Sequence, residues 1–444
     1  MPLPATRRMR HLLVAWGAGA LIAISAPAQA STPRSSALAS EIADRADGLR
    51  AFYASREYRP LWLTADGRAG PAVDLLFQRV ESAQFDGLDP DALRQVQTKS
   101  ARRALRKASG GDADDVARAD LELSRLFADY VRLSRAAPAA EMAYQDQALA
   151  PAVPSALQVL ADAGRAASLE SYLRDMRWMH PLYAPLRDAM IASGYSESQR
   201  EEIWQTMARV RALPALAEGR HVLVDTAGAR LWMYEDGEPV DSMRVVVGKP
   251  ATQTPTMAGF LHQAIVNPYW NVPPDLVQQN IATNVLDRGL GYLRQSGYEV
   301  LSDYSDRPAV LDPKAIKWQA IADGSRFVRV RQKPGGGNFM GKVKFEFPNP
   351  LGIYLHDTPD KHLMKQEQRH FSAGCVRLED ADRFGRWLLG KPLPRIGKQA
   401  EQRVAVAAPV PIYIAHLPVI PTDTGLAFRP EVYGREVQLA NTAY

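Results

Sequence analysis

The chain has 444 residues, of which 46% are hydrophobic and 23% are charged, and its formal net charge is +5. This length suggests two or three domains, and the apolar content excludes a disordered or collagen-like protein. Arg7, Arg8 and Arg10 supply three of the five net charges, so the chain beyond residue 30 carries only +2, too little for a dense basic face that would bind nucleic acid. The single cysteine rules out an intramolecular disulfide.

The N-terminus predicts an export signal over residues 1–30. Its three arginines precede an apolar run at residues 12–26, and Ala28-Gln29-Ala30 is a small-x-small cleavage site. The run is shorter than the about 20 apolar residues that span a membrane. An uncleaved anchor is the alternative, because short anchors and signal sequences overlap in length. We expect an exported protein whose mature chain starts near Ser31.

Residues 31–216 predict an all-helical scaffold domain. The region is rich in Ala, Leu and Arg, and its clearest segment repeats apolar residues at three-, four- and seven-residue spacings, as on one face of a helix. These residues are Val116, Leu123, Phe127, Tyr130 and Val131. We find no cluster of titratable residues here that suggests chemistry.

The second half of the sequence has the period of strands. A hairpin is predicted from residues 221–225 and 230–234, on either side of a Thr-Ala-Gly-Ala turn. Further strand signals lie at 243–247, 327–332, 342–347, 353–355 and 410–415, the last with a proline at its start.

The predicted fold class is therefore α+β, with the helical scaffold followed by a mainly β domain over residues 217–400. Within that domain, residues 275–326 look helical and loop-like and are long enough for a capping or lid insertion. Gly289-Leu290-Gly291 could act as its hinge, or the insertion could be static. Residues 401–444 are predicted to form a C-terminal strand and tail that packs on the two domains.

The residues that suggest chemistry lie at 353–359 and 369–377. His356 closes a predicted strand, and Cys375 follows 19 residues later, beyond a loop that can return it to the histidine. A nucleophilic cysteine needs a base within hydrogen-bond reach and N–H donors aimed at the developing oxyanion. Gly374 permits a backbone shape that presents such donors. Arg377 places a positive charge nearby, which favours a thiolate and can hold a substrate carboxylate.

Two simpler interpretations compete with catalysis. A lone cysteine is often an inert buried residue, in which case it would not be labelled by thiol reagents. A catalytic Cys375 should instead be labelled well below the free-thiol pKa of about 8.5. Zinc is the second alternative, because His356, His362 and His370 lie near Cys375, but their spacing matches no compact Cys/His framework. We expect no metal and no organic cofactor.

The runs Ile-Tyr-Leu-His-Asp-Thr-Pro at 353–359 and Ser-x-Gly-Cys-x-Arg at 372–377 resemble the signature of L,D-transpeptidases of the YkuD catalytic family. The long periplasmic YcbB-like branch is the most similar group. The resemblance extends over roughly residues 217–440 and, more weakly, over the scaffold. It includes the runs at 247–249, 254–255, 267–273, 329–335, 343–345, 348–349, 411–413 and 433–435.

This resemblance implies a cysteine acyl-enzyme mechanism in a mixed β-sheet fold. Cys375 would be the nucleophile and His356 the general base. The backbone carbonyl of Asp357 would orient the imidazole, although a turn-stabilising side chain is an equal alternative for this residue. Gly374 and the Cys375 N–H would form part of the oxyanion hole.

Four further residues are predicted to contact or shape the substrate site: Tyr354, Ser372, Arg377 and Trp270. For Ser372 a turn residue, and for Trp270 a core tryptophan, are the alternatives.

The implied activity is that of a periplasmic peptidoglycan L,D-transpeptidase that acts on stem peptides, without nucleic acid or metal. It would serve cell-wall organisation and cell shape, be acylated by carbapenems, and associate weakly with other cell-wall enzymes. A 3-3 cross-link is favoured, and a 1-3 cross-link through L-Ala is possible. Carboxypeptidase or D-amino-acid exchange activity, or a non-catalytic wall scaffold, are the alternatives.

The chain departs from that branch in one important respect. The YcbB-like branch usually inserts a peptidoglycan-binding module into its scaffold, and residues 150–205 are too short to contain it. The resemblance therefore leaves both the anchoring of the sugar chain and the choice of acceptor amine open.

Overall fold

A computed structural model describes residues 33–43, 48–64, 66–88, 90–96, 98–215 and 219–434. The predicted export signal lies outside these residues. Within the described ranges, no helix combines the length and the apolar character that crossing a membrane requires.

The first half folds as a helical bundle around one long central helix, which confirms the predicted scaffold. Its helices are α1 (Pro33–Glu41), α2 (Gly48–Ser55), α3 (Pro71–Glu81), α4 (Pro90–Gln95), α5 (Thr98–Ala108), α6 (Ala113–Ala136), α7 (Ala156–Arg165), α8 (Leu169–Arg174), α9 (Tyr183–Ile191) and α10 (Glu197–Arg211). Asp112 caps α6 by accepting the backbone N–H groups of Asp114 and Asp115. The predicted apolar face of α6 is buried along its length.

A buried ion pair connects the scaffold helices. Asp86, which is fully buried, accepts hydrogen bonds from Arg187 Nε at 2.8 Å, from the Tyr130 hydroxyl at 3.0 Å and from the Tyr183 hydroxyl at 3.1 Å. These partners lie on α6 and α9, so one carboxylate holds two helices in register.

We expect Asp86→Ala to lower the free energy of unfolding by about 3–5 kcal/mol, because it leaves the buried Arg187 without its partner. Urea unfolding followed by helical circular dichroism measures the change. Asp91→Ala is the control, since Asp91 pairs with Arg94 on the surface at 3.0 Å and should cost less than about 1 kcal/mol. Equal effects of the two substitutions would contradict this account.

The second half is mainly β, as the sequence predicts. The strands are β1 (Ala143–Tyr144), β2 (Arg220–Asp225), β3 (Arg230–Glu235), β4 (Glu238–Gly248), β5 (Met257–Val266), β6 (Trp270–Asn271), β7 (Tyr298–Leu301), β8 (Arg329–Gln332), β9 (Val343–Glu346), β10 (Leu355–His356), β11 (His370–Ser372), β12 (Val376–Leu378), β13 (Gln402–Ala415), β14 (Val419–Thr422) and β15 (Gly425–Phe428). The large sheet has the order β1-β5-β13-β2-β3-β4-β12-β10-β9, with β11 paired to β4. Because β9 also pairs with β5, the strands close on themselves around an apolar core.

The C-terminal strand differs from its predicted role. Strand β13 lies inside the large sheet, between β5 and β2, so a boundary at residue 400 would separate a central strand from its own sheet. It also begins at Gln402, well before the predicted start at residue 410. A register shift between Ala405 and Val410 interrupts the alternation of buried and exposed residues. The sequence therefore does not show the strand pattern in the first half of β13.

The scaffold and the sheet are joined directly. Strand β1, which follows the scaffold helix α6, pairs in parallel with β5, with Ala143 opposite Met257. The scaffold core continues into sheet residues such as Tyr234 and Tyr413.

The predicted insertion forms a small subdomain with its own core, called the capping subdomain after its predicted role. Helices α11 (Pro274–Leu276), α12 (Thr283–Arg288), α13 (Gly291–Gln295) and α14 (Trp318–Ala322) and a π-helical turn (Val277–Ala282) pack on the three-stranded sheet β6-β8-β7. The subdomain thus extends beyond the predicted 275–326 to the flanking strands β6 and β8. Helix α15 (Ala381–Leu389) packs on the apolar core of the large sheet through Phe384 and Leu388.

Candidate active site

The register of two short strands brings four of the predicted site residues to one face. Strands β10 and β12 are parallel, with Leu355 opposite Val376 and His356 opposite Arg377. Leu355 and Val376 are fully buried in the core, so His356 and Arg377 project from the other face. The Val376 N–H donates to the Tyr354 carbonyl at 2.9 Å and continues the pairing, which places Tyr354 and Cys375 on the same face.

Cys375 and His356 lie on this face near each other, although no hydrogen bond joins the thiol to the imidazole in the described residues, because the thiol donates to the Gly352 carbonyl oxygen. His356 is on β10, and Cys375 directly precedes β12, two residues away from the position opposite His356. Strand spacings of about 4.8 Å between strands and about 3.3 Å per residue then put their Cα atoms about 8 Å apart. The predicted nucleophile and base are therefore neighbours.

The backbone fixes the proton on the His356 ring. Nδ1 lies 2.5 Å from the carbonyl oxygen of Asp357, which can only accept a hydrogen bond, so Nδ1 carries the proton. Nε2 is left with its lone pair. Burial, followed by the nearby positive charge of Arg377, lowers the pKa of His356 to about 4. At neutral pH the imidazole is thus a neutral base.

Asp357 makes the contacts that both of its predicted roles require. Its carbonyl oxygen orients His356, while its carboxylate accepts the Lys342 backbone N–H at 2.9 Å and pairs with Lys361 Nζ at 2.7 Å. Lys361 Nζ also donates to the carbonyl oxygens of Leu378 and Glu379. The side chain therefore holds the turn that aims the carbonyl oxygen.

Cys375 is half-buried, and its thiol donates to the Gly352 carbonyl oxygen at 3.6 Å. Burial raises the pKa of the thiol, although a hydrogen bond from the Tyr354 backbone and the charges of Arg377 and Lys344 lower it in part. The raised pKa contradicts the expectation that thiol reagents label Cys375 well below a pH of about 8.5. The loss of hydration on burial outweighs the effect of the two cationic neighbours. A thiol in this environment needs a proton acceptor before its sulfur can act as a nucleophile.

The turn before Cys375 is held by its own side chains. Gly374 has a φ of +115°, which favours glycine. Its N–H donates to Ser372 Oγ at 3.1 Å, and the Ser372 hydroxyl donates to the Cys375 carbonyl oxygen at 2.6 Å. The structure thus places Ser372 as a buried turn residue and not at the substrate surface, because both of its hydrogen bonds stay within the turn.

The same contact changes the predicted oxyanion hole. Because the Gly374 N–H is engaged, the free donor beside the sulfur is the Cys375 N–H, which has no partner within the described residues; the Tyr354 backbone N–H already donates to the sulfur itself. Gly374 contributes the backbone shape and not a donor.

A threonine that sequence analysis did not single out braces this turn. Thr254 Oγ1 donates to the Gly374 carbonyl oxygen at 2.7 Å and accepts the Gly248 N–H at 2.8 Å. The Tyr433 hydroxyl donates to the Gly248 carbonyl oxygen at 2.7 Å, which ties the C-terminal segment to the same loop. The Thr254-Pro255 run among the matched motifs was the only signal in the sequence.

Two cations flank His356. Arg377 Nη1 contacts Asp360 at 3.2 Å, whereas its buried Nε has no partner within the described ranges. On the other side, β9 pairs antiparallel with β10 and places Lys344 opposite His356. Lys344 pairs with Glu346 at 2.7 Å and lies 5.1 Å from the centre of the Tyr354 ring. The sequence does not identify Lys344 as a neighbour of His356, because only the register of β9 against β10 places the two residues opposite each other.

Trp270 lies in the capping subdomain, on β6. Its ring packs 4.9 Å from that of Phe339 and 6.4 Å from that of Tyr298, against the core of the subdomain. These contacts match the alternative of a core tryptophan, and the structure does not group Trp270 with Cys375 and His356.

The histidines near Cys375 do not converge. His370 Nε2 lies 2.9 Å from the Thr226 carbonyl oxygen, and His362 is exposed. In the part of the chain that the structure describes, no three His, Cys, Asp or Glu side chains form a group that could hold a metal ion.

We expect the activity that the sequence resemblance implies to persist in mild acid. Because burial lowers the pKa of His356 to about 4, the ring stays neutral well below an ordinary histidine pKa of about 6.5. The kcat/KM for a stem-peptide substrate should be flat from pH 7 to about 5 and fall about tenfold per pH unit below about 4. Circular dichroism at each pH provides the control for unfolding. A rate that halves near pH 6.5 would contradict this assignment.

Comparisons with known proteins concern the family of the chain and not the geometry of the site. Residues 219–412 match the YkuD family model, described as the L,D-transpeptidase catalytic domain, and residues 47–190 match a model described as a scaffold domain. A curated Haemophilus influenzae protein, provisionally named an L,D-transpeptidase, is 26% identical over 404 residues, which cover 88% of this chain and 79% of that protein.

Solved structures show a more limited similarity. An L,D-transpeptidase from Mycobacterium smegmatis is 14% identical over 45% of this chain and 59% of its own, with a TM-score of 0.24. The catalytic domain of an E. faecium L,D-transpeptidase is 13% identical over 45% of this chain and 98% of its own, with a TM-score of 0.19. The match thus spans less than two thirds of the M. smegmatis chain.

Proposed function

Because residues 219–412 form an L,D-transpeptidase catalytic domain of the YkuD family, we propose that this protein cross-links peptidoglycan through an acyl-enzyme on Cys375. One observation carries the proposal: Cys375 shares a sheet face with His356, whose Nδ1 is held by the Asp357 carbonyl oxygen so that Nε2 can accept a proton. This is the nucleophile–base–orienting group arrangement of covalent catalysis.

The first step is acylation by a tetrapeptide donor. The thiol proton of Cys375 passes to His356 Nε2 while the sulfur attacks the carbonyl carbon at the L-centre of meso-diaminopimelate in position 3. The oxyanion forms beside the N–H group of Cys375. When it collapses, the C–N bond to D-Ala breaks, the leaving nitrogen takes the proton from His356, and a thioester remains.

Arg377 carries the charge needed to bind the carboxylate of D-Ala, the leaving group. Its buried Nε has no partner within the described residues, and it lies two residues from Cys375 on the same face. A guanidinium N–H pairs well with a carboxylate, so we assign Arg377 to the terminal carboxylate of D-Ala.

The second step transfers the thioester to an amine of another stem peptide. The amine attacks the thioester carbonyl, the C–S bond breaks, and the proton from the amine returns to the sulfur through His356. We favour the side-chain amine of diaminopimelate, which gives a 3-3 cross-link. The amine of L-Ala in position 1 would give a 1-3 cross-link. Water or a free D-amino acid as acceptor would give carboxypeptidase or exchange activity.

We assign this reaction to the periplasm, where peptidoglycan lies and to which the predicted export signal would direct the chain. Carbapenems, whose reactive carbonyl mimics that of the donor, should acylate the same sulfur.

Muropeptide mass spectrometry tests the proposal. Tetrapeptide-rich sacculi are digested after incubation with the protein, and fragmentation identifies the cross-linked amine. Dimers with a diaminopimelate–diaminopimelate bond establish a 3-3 transpeptidase, and dimers of equal mass linked through L-Ala replace the acceptor but keep the mechanism. Tripeptides alone mean that hydrolysis dominates. Unchanged sacculi would contradict the proposal and favour the non-catalytic scaffold.

A further inference from the structure

A cavity lies at the seam between the scaffold and the large sheet, away from the candidate active site. It has a volume of about 820 Å³ and shares no lining residue with the Cys375 face. This seam cavity lies between the end of α6, the segment 139–144 that leads into β1, residues 150–153, and Thr256 beside β5. Binding sites for small molecules are of this size, about 300–1,000 Å³. The seam cavity therefore has room for a ligand.

Its walls are mostly small and apolar, but two arginines also line it. Arg135, in the last turn of α6, is half-buried, and its Nη1 contacts the sulfur of Met179 at 3.7 Å. Burial lowers the pKa of Arg135, and the neighbouring groups that oppose this shift are the hydroxyls of Tyr144 and Tyr183, not carboxylates.

Arg211, at the end of α10, is the second. It is only 4% exposed. Its Nη2 donates to the Asp86 carbonyl oxygen and to the Tyr183 hydroxyl, and its Nη1 to the Pro138 carbonyl oxygen at 3.4 Å. Its buried Nε has no partner within the described residues. Within the described part of the chain, each of these acceptors is a neutral oxygen.

The nearby carboxylates do not balance these charges. Asp86 is paired with Arg187 at 2.8 Å. Glu141, the acidic residue that lines the seam cavity, is exposed and forms no ion pair with either arginine. Arg135 also borders a smaller cavity of about 390 Å³ that contains Asp162 and Asp236, but Asp162 pairs with Arg165 at 2.6 Å and Asp236 accepts the Gly219 N–H. A buried cation without a counter-ion is costly, so an anion fits the space beside them.

We propose that the seam cavity binds the free carboxylate of a short peptide with small side chains, through Arg135 and Arg211. A planar carboxylate matches the fork of a guanidinium, and alanine-rich walls suit small apolar side chains. The terminal D-alanine of a peptidoglycan stem tetrapeptide, with its free carboxylate and methyl side chain, has this chemistry. Thr256 lies two residues from Thr254, whose hydroxyl holds the Gly374 carbonyl oxygen, so the bound peptide lies beside the loop that braces the nucleophile turn.

This inference goes beyond the proposed function, and its test does not require catalysis. The full chain with Cys375→Ala is titrated calorimetrically with a diaminopimelate tetrapeptide carrying a diazirine at its N-terminus, and crosslinked residues are mapped by mass spectrometry after illumination. We expect crosslinks in residues 139–144 or 150–153. A peptide with every carboxylate amidated should not crosslink there.

Variants of the arginine sharpen the test. Arg135→Met should weaken binding at least about tenfold and abolish the seam crosslinks, while Arg135→Lys should restore them in part. Arg132→Met, exposed on the same helix, is the matched control and should change neither. Crosslinks confined to the Cys375 face, equal binding of the amidated peptide, or displacement by inorganic phosphate at the concentration of the peptide would each overturn the proposal. None of these results depends on whether the wild-type chain forms cross-links.

Discussion

Cys375→Ser should reduce the release of D-Ala from a tetrapeptide by at least about 10⁴-fold. The serine hydroxyl is nearly isosteric with the thiol but far harder to deprotonate, and enzymes that lose the nucleophile of a covalent mechanism lose rate on this scale. His356 cannot compensate, because burial lowers its pKa to about 4 and makes it a weak base. A coupled D-amino-acid assay measures the release.

The thermal unfolding midpoint provides the control for folding. Because Cys375 is the single cysteine, the variant should also lose all thiol labelling, which confirms that the native signal comes from this residue. Retention of more than about a hundredth of the wild-type rate would remove Cys375 from the mechanism.

His356→Gln should lower the acylation rate by about 10²- to 10⁴-fold, the range expected for loss of a general base. The effect should be large because burial raises the pKa of the Cys375 thiol, so little thiolate exists at neutral pH without a proton acceptor. Stopped-flow measurement of acylation by a carbapenem would give the rate.

The matched control is His362→Gln, because His362 is exposed and lies outside the sheet face that carries Cys375. This variant should acylate at the wild-type rate. The rate of His356→Gln should also rise with pH as hydroxide replaces the missing base. Similar rates for the two variants would show that Cys375 ionises without His356.

Much of the fold could be predicted from the period of the apolar residues. Helix α6 repeats them at helical spacing, and the hairpin β2-β3 has a clear turn, so both are found where the sequence predicts them. Strand β5 was missed because Met257–Val266 has a mixture of buried residues on both faces and no simple alternation. The start of β13 was missed because a register shift interrupts its pattern.

The residues of the candidate site that lie in short sequence motifs could be predicted. The residues that only the pairing register of the strands brings to the site could not. Cys375, His356 and the carbonyl of Asp357 follow from two short motifs. Lys344 could not be found this way, because only the antiparallel pairing of β9 with β10 places it opposite His356. Ser372 was assigned to the substrate because a sequence does not show that both hydrogen bonds of its hydroxyl stay within the turn.

The acyl-enzyme on Cys375 can be detected by intact-protein mass spectrometry after rapid mixing of the protein with a tetrapeptide. We expect an adduct equal in mass to the tetrapeptide minus D-Ala, located on Cys375 by peptide mapping and removed by hydroxylamine, as a thioester requires. The same adduct should be absent from Cys375→Ser. Release of D-Ala without any adduct on Cys375, or an adduct on another residue, would contradict the acyl-enzyme mechanism.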